Sequence, residues 1–240
     1  MRKVMATRRV RRELLKIDGR PVEVTMRLNP RARRLIVKVH PSTGEVTVVA
    51  PSRRGLDRAL DFARGEAPWI ARQLARVPKP IPLVPGAVVP FLGREHVIVK
   101  MERGTASRDA GPAVIYVGGR AEHAQRRVID FLKREARRVL DERSREFAER
   151  IEAKVRRVSV RDTASRWGSC STGKTISYSW RLIFAPQSVL DYVVAHEVAH
   201  LREMNHGPRF WRLVRAIVPD LESPQAWLRK NGTALHRYGA

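Results

Sequence analysis

Three histidines and a glutamate near the carboxyl end of the chain constrain its fold and chemistry more than any other feature. His196, Glu197 and His200 form the pattern H-E-x-x-H, and His206 follows after a short gap. Residues four apart lie on one face of a helix, so His196 and His200 can direct their imidazoles at one metal ion. Glu197 then lies beside that ion, where it can hold a water molecule. The spacing therefore predicts a metal centre built on a helix.

The residue types indicate which metal such a centre takes. Neutral imidazoles suit zinc, and a catalytic zinc site has three protein ligands and a fourth position for water. Binding to zinc lowers the pKa of that water to about 7, so hydroxide is available at neutral pH. We therefore expect one Zn²⁺ per chain, held by His196, His200 and a third protein ligand.

The surrounding residues predict the helix that carries the motif. An apolar run over Ser188–Leu201 is typical of a helix buried on most sides, with Ser188 as its N-cap. His206 would face away from the other two histidines if this helix continued unbroken. Asn205 and Gly207 tolerate a left-handed backbone, so we expect the helix to break at this point.

The identity of the third ligand depends on that break. If the helix ends, His206 can return to the metal, and Pro208 is suited to open the following helix. If the helix continues, Glu203 lies on the histidine face and becomes the alternative third ligand. Its axial distance of roughly 10 Å from His196 on a straight helix argues against it. The sequence favours His206.

Several segments around these histidines resemble a known family. They are Ser165–Ser171, Ile176–Leu182, Tyr192–Leu201, Met204–His206 and Phe210–Trp211. Together they resemble the YgjP-like metallopeptidases, most densely between about Val155 and Trp227. The resemblance implies a small zincin-like domain, with His196, His200 and His206 on zinc and Glu197 as general base. It does not identify the substrate.

Other residues of these segments are weaker candidates for a function. Arg166 is suited to anchor a substrate carbonyl or phosphate, so we predict that it binds substrate. Cys170 has no neighbouring histidine or cysteine in the sequence, which favours a structural role over that of a nucleophile or zinc ligand. Trp167, Phe210 and Trp211 are expected to be core aromatics that pack the metal helix.

Composition limits the environment and the partners of the chain. A single cysteine excludes an internal disulfide and is typical of a cytoplasmic protein. No apolar run is long enough to span a membrane, so we expect no membrane partner. The formal net charge of +24 would attract phosphate-rich partners. Helical acid–base pairs such as Asp130/Arg134, Asp141/Arg145 and Glu146/Arg150 instead suggest that many arginines lie on solvated faces.

Two alternative functions follow from this charge. One is a metal-dependent nucleotide pyrophosphohydrolase, although the sequence lacks a phosphate-cradling glycine loop. The other is a DNA-associated protein whose metal domain acts on proteins bound to nucleic acid, although no familiar nucleic-acid-binding motif accompanies the charge. The favoured function is a zinc-dependent hydrolase that cleaves a peptide bond. In it, Glu197 takes a proton from the attacking water and returns it to the leaving group.

The remaining patterns predict an α+β protein, with a β-rich N-terminal region (1–85) and a zincin-like C-terminal domain (86–240) that carries the H-E-x-x-H helix. Proline-rich residues 78–90 are the expected connector. The predicted strands are Val22–Leu28, Arg34–His40, Glu45–Ala50, Arg94–Met101, Ala113–Val117, Val155–Arg161 and Thr175–Phe184. Helical spacing covers Leu56–Arg76, with an interruption at Pro68, and a long helix at about Ala121–Ile151. A hairpin turn at Pro41–Gly44 and a flexible loop at Glu102–Pro112 are also expected.

The strand that precedes the metal helix has a possible role of its own. Zincin-type proteases hold extended substrates by backbone pairing with a strand edge beside the metal helix. Thr175–Phe184 is in the right order for this role. A plain scaffold hairpin is the alternative.

Overall fold

The computed structural model describes residues 10–40, 43–77, 79–163 and 166–239. The chain folds into two compact units, Met1–Pro78 and Lys79–Ala240. The predicted α+β composition, with a β-rich N-terminal region and helices later in the chain, is confirmed. The division of the chain into domains at residue 85 stays a prediction. None of the helices in the described part of the chain combines the length and the apolar character that a membrane span requires.

The first unit is a four-stranded sheet with three short helices. Its elements are β1 (Val10–Ile17), β2 (Arg20–Leu28), β3 (Ile36–Val39), β4 (Val46–Ala50), α1 (Arg53–Asp57), α2 (Ala59–Gly65) and α3 (Ala67–Ala75). The strand order is β1-β2-β4-β3, with a parallel pairing only between β2 and β4. Alternate side chains of β4 are buried, and they pack with Leu56, Ala63 and Ile70 of the helices. The predicted hairpin turn after β3 lies partly outside the described residues.

Proline explains one boundary among these helices. Pro68 lies in the first turn of α3, where its missing N–H group costs no hydrogen bond. The expected interruption of the helical segment therefore appears as a new helix start. Strand β1 was not predicted, because exposed arginines and a leucine that is 71% exposed (Leu14) weaken its alternation.

The second unit begins with another four-stranded sheet and the long helix. It contains β5 (Val88–Phe91), β6 (Arg94–Met101), β7 (Ser107–Asp109), β8 (Val114–Gly118) and α4 (Ala124–Arg150). The strand order is β5-β6-β8-β7. The loop expected at Glu102–Pro112 is interrupted by β7, which pairs with β8. Helix α4 packs against β8 with an apolar face that includes Val128, Leu132 and Leu140.

A three-stranded sheet then leads to the metal helix. Its strands are β9 (Arg157–Arg161), β10 (Gly168–Cys170) and β11 (Thr175–Ser179), in the order β10-β11-β9. The predicted strand Thr175–Phe184 is too long, because Trp180–Phe184 forms a buried 3₁₀ helix. No strand was predicted at the position of β10. Since β11 is paired on both sides, it cannot offer an edge to a substrate. Within the described residues, the two edge strands of this sheet are β10 and β9.

Three helices complete the second unit: α5 (Gln187–Ala199), α6 (Pro208–Ile217) and α7 (Glu222–Leu235). The N-cap of α5 is Pro186 rather than Ser188. Helix α5 ends at Ala199, well before the predicted break, and neither Asn205 nor Gly207 has a positive φ. The prediction of a left-handed break is therefore wrong. Pro208 opens α6, as predicted.

Candidate active site

The end of α5 and the loop after it bring three histidines together. His196 lies in the last turn of α5, and His200 is its C-cap residue. The Nε2 atoms of His196 and His206 are 3.1 Å apart. The ring of His200 lies 5.1 Å from that of His196 and 4.8 Å from that of His206, measured between centroids. One ligand nitrogen from each histidine lies within 4.8 Å of the others.

Local hydrogen bonds fold the loop that carries the third histidine. The backbone N–H groups of Arg202 and Glu203 both donate to the carbonyl of Ala199, which closes tight turns directly after the helix. Nδ1–H of His200 donates to the backbone carbonyl of Glu203 at 3.0 Å. Among the described residues, the group of possible metal ligands contains His206 and does not contain the Glu203 carboxylate.

Two aromatic side chains form the base of the histidine cluster. Phe210 is fully buried, and its ring centroid lies 5.0, 4.6 and 4.7 Å from those of His196, His200 and His206. Trp211 lies 5.9 Å from His196 and 6.1 Å from His206. The sequence suggested only that these aromatics pack the helix. The structure shows that they contact the imidazoles, so they also limit the movement of the rings.

The nitrogen positions and charge states fit a bound zinc ion. Tetrahedral coordination at 2.0–2.1 Å places two nitrogen ligands about 3.3 Å apart, close to the 3.1 Å observed between His196 and His206. Burial, then the charges of His200 and His206, lowers the pKa of His196 to about 4. Burial also lowers the pKa of His200. These two imidazoles are therefore neutral at pH 7, as metal ligation requires.

The second nitrogen of each ring shows how firmly the ligand is oriented. Ligating histidines commonly donate this N–H to a carbonyl or carboxylate, which fixes the tautomer. His200 follows this pattern through the carbonyl of Glu203, which leaves Nε2 free for a metal. Nδ1 of His196 is buried and has no acceptor among the described residues. On this side of the ring, packing against Phe210 takes the place of a hydrogen bond from Nδ1.

Glu197 is buried directly beside the cluster, against strand β10. The residue is 6% exposed. A Cβ atom at Gly168 would lie 2.5 Å from Cγ of Glu197 and 2.6 Å from Oε1, so only glycine leaves room for this carboxylate. Burial raises the pKa of Glu197 to about 7, against the opposing effect of the positive charge of Arg166. A carboxyl group with this pKa can accept and release a proton near neutral pH.

A comparison of the whole chain with known protein families shows which family it belongs to. The model of the YgjP-like metallopeptidase domain matches residues 33–231. The chain belongs to the YgjP-like family. The resemblance identified from the sequence motifs is thereby confirmed, and the match extends upstream of those motifs into the first compact unit. Membership shows a domain of the metal-dependent hydrolase type and implies a divalent metal ion.

Comparisons with individual proteins add little to the family assignment. Among solved structures, the metallopeptidase zymogen of Pyrococcus abyssi abylysin is similar, with 20% sequence identity and a TM-score of 0.36. The alignment covers 41% of this chain and 97% of that chain. No curated protein matches. The family assignment rests on the family model.

Two further candidates from the sequence, Arg166 and Cys170, lie near Glu197 in this YgjP-like domain. Arg166 is exposed, and its charge acts on the Glu197 carboxylate. Cys170 lies in β10, where burial, followed by the negative charge of Glu197, raises its pKa to about 11. The thiol therefore stays protonated at neutral pH, which disfavours a role as a nucleophile. Cys170 is also absent from the group of possible ligands that the described residues form.

The sequence did not reveal a further tyrosine–glutamine pair beside the site. Tyr192 lies one turn before His196 on α5, with 6.2 Å between their ring centroids. The hydroxyl of Tyr192 accepts a hydrogen bond of 2.9 Å from Nε2 of Gln225 on α7. Gln225 also lines a cavity that reaches His206. The i, i+4 spacing of Tyr192 and His196 was the signal that could have placed the tyrosine here.

Proposed function

We propose that this YgjP-like protein is a zinc-dependent metallopeptidase. His196, His200 and His206 are the proposed ligands, and Glu197 is the proposed general base. The observation that carries the proposal is the meeting of three imidazoles within 4.8 Å beside a buried carboxylate. Three nitrogen ligands leave one position of a tetrahedral zinc ion open, which is the arrangement of catalytic sites.

The chemistry divides between the ion and the protein. When bound, zinc supplies a water molecule of lowered pKa and polarises the substrate carbonyl. The Glu197 carboxylate accepts the proton of the attacking water and then donates it to the leaving amine. Burial against Gly168 fixes the direction of the carboxylate, and its pKa of about 7 suits both transfers. The exposed guanidinium of Arg166 is placed to bind a carbonyl of the substrate.

Strand β10 supports a polypeptide as substrate. Within the described part of the chain, β10 pairs on one side only, with β11. Its residue Gly168 lies so close to Glu197 that an added Cβ would be 2.6 Å from Oε1 of the carboxylate. An extended peptide that pairs with this free edge would therefore pass beside the proposed base. We therefore propose β10 for the substrate-binding role, instead of the longer strand Thr175–Phe184 that was expected from the sequence.

The charge-based alternatives gain no support from the family or from the site. Part of the positive charge is compensated locally, since the predicted pairs Asp141/Arg145 and Glu146/Arg150 are confirmed as ion pairs of 2.8 and 2.5 Å. Nucleotide hydrolysis and action on proteins bound to nucleic acid are therefore the alternatives against which the peptidase proposal is tested.

A substrate comparison with a matched base variant tests the proposal. The zinc-loaded protein is assayed against casein and against nucleoside triphosphates, together with Glu197→Gln. We expect casein to be cleaved by the wild type and at least a hundredfold more slowly by the variant, since general-base catalysis contributes about 10²–10⁴ in rate. Triphosphate hydrolysis without casein cleavage, lost in the same variant, would replace the peptidase proposal with the nucleotide one.

A further inference from the structure

A cavity of about 650 Å³ opens beside the third histidine. Its walls come from α6 and the region around the start of α7, and His206 forms its edge toward the histidine cluster. Since Nε2 of His206 lies 3.1 Å from Nε2 of His196, a group bound in this cavity lies next to the reacting centre. The volume is in the range typical of small-molecule and side-chain pockets.

Two arginines supply the positive charge of the cavity. Arg212 and Arg215 both line it and lie three residues apart on α6, so they lie on the same side of that helix. Neither forms an ion pair or side-chain hydrogen bond with another residue in the described ranges. Arginines of α4 behave differently, since Arg138 binds both Glu135 and Glu142. Glu222 is the one acid among the described residues that line the cavity, so these residues give it a net positive charge.

The remaining walls are suited to the apolar stem of a side chain. Trp211 is half-buried and Leu221 is 7% exposed, and both line the cavity. Gln225 is held in place by its hydrogen bond to the Tyr192 hydroxyl. The N-terminus of α6 opens toward the same space without a side-chain cap, and its dipole adds to the positive potential.

We propose that this cavity is a specificity pocket for a carboxylate-bearing residue next to the scissile bond. Arginine forks recognise carboxylates with two parallel hydrogen bonds, and the apolar walls accommodate the carbons that carry the carboxylate. The inference rests on the proposed peptidase function, because it assigns one side of a peptide substrate. The carboxylate belongs either to an acidic side chain or to the free C-terminus of the substrate.

Matched peptides test the pocket. A peptide that the wild type cleaves is made with Glu, Gln or Lys at each position flanking the scissile bond, and with a free or an amidated C-terminus. The variants are Arg212→Gln and Arg215→Gln, with Arg209→Gln as control, because Arg209 lies on α6 but does not line the cavity. We expect kcat/KM to favour Glu over Gln, or the free over the amidated terminus, by about tenfold or more, in line with a charge-assisted hydrogen bond. A preference for Glu identifies an acidic side chain as the source of the carboxylate, and a preference for the free terminus identifies the C-terminus.

The two pocket variants should reduce this preference toward unity, and the control should keep it. A preference for Lys, equal cleavage of all the peptides, or an equal loss of preference in Arg209→Gln would overturn the inference and leave the peptidase function standing. Binding provides a readout without hydrolysis: the fluorescein-labelled peptides are titrated into zinc-loaded Glu197→Gln at about 0.15 M salt, where surface charges are largely screened. If no peptide is cleaved by the wild type, the proposed function fails. Tighter binding of the carboxylate peptides, lost in the pocket variants, would then still support the pocket, and equal binding would overturn it.

Discussion

Replacing Gly168 by alanine tests whether the position of Glu197 controls the rate of hydrolysis. The new Cβ would lie 2.5 Å from Cγ of Glu197, whereas ordinary contacts begin at 3.4 Å. Either the carboxylate or strand β10 must therefore move. Misplacement of a catalytic group by about 1 Å costs on the order of 10²-fold in rate. We expect Gly168→Ala to lose about that factor in kcat.

The assay is steady-state cleavage of a peptide, with zinc content and thermal unfolding measured on the same samples. Gly173→Ala is the matched control, because it lies between β10 and β11 and its nearest contact would be the Ser171 hydroxyl at 3.8 Å. Movement of the carboxylate should lower kcat, and movement of the strand edge should also raise KM. A folded, zinc-loaded Gly168→Ala protein with wild-type kcat would refute the reasoning that this contact positions the base.

Three further outcomes are expected elsewhere in the second unit. His206→Ala should weaken zinc affinity by orders of magnitude in a chelator competition, while Glu203→Gln should not; the reverse would identify the glutamate as ligand. Since burial raises the pKa of Cys170 to about 11, its thiolate fraction at pH 8 is about 10⁻³, so iodoacetamide should modify it slowly until the pH approaches 11 or the protein is unfolded. Arg143 donates two hydrogen bonds, of 2.8 and 2.7 Å, to the Asp191 carboxylate. Arg143→Ala should therefore lower the free energy of unfolding by about 1–3 kcal/mol in urea, and an unchanged midpoint would contradict this.

The motif spacing was sufficient to predict the helix that carries His196 and the grouping of the three histidines, because helical periodicity fixes the relation of His196 to His200. The position of His206 depends on tertiary contacts. The helix ends at Ala199 because of tight turns to its carbonyl, and Phe210 packs against all three rings. Sequence reasoning placed the break at residues with left-handed propensity, and the loop needs no such conformation.

Tertiary contacts explain why the strands that precede helix α5 differ from the predicted ones. Apart from Arg181, Trp180–Phe184 consists of aromatic and branched residues, which favour a strand, yet all five residues are buried in a 3₁₀ helix. Gly168–Cys170 is too short to show alternation and begins with glycine, a weak strand former. The glycine is required by the Glu197 side chain, which comes from a distant part of the sequence. Such contacts cannot be inferred from local patterns.

X-ray absorption at the zinc edge of the zinc-loaded protein tests the three-histidine site most directly. We predict one zinc per chain with nitrogen or oxygen scatterers only, at about 2.0–2.1 Å, and the multiple-scattering signal of three imidazoles. That signal should fall to two imidazoles in His206→Ala, under conditions where zinc remains bound. A sulfur scatterer at about 2.3 Å, which would implicate Cys170, would contradict the account. So would an imidazole signal that is unchanged in the variant.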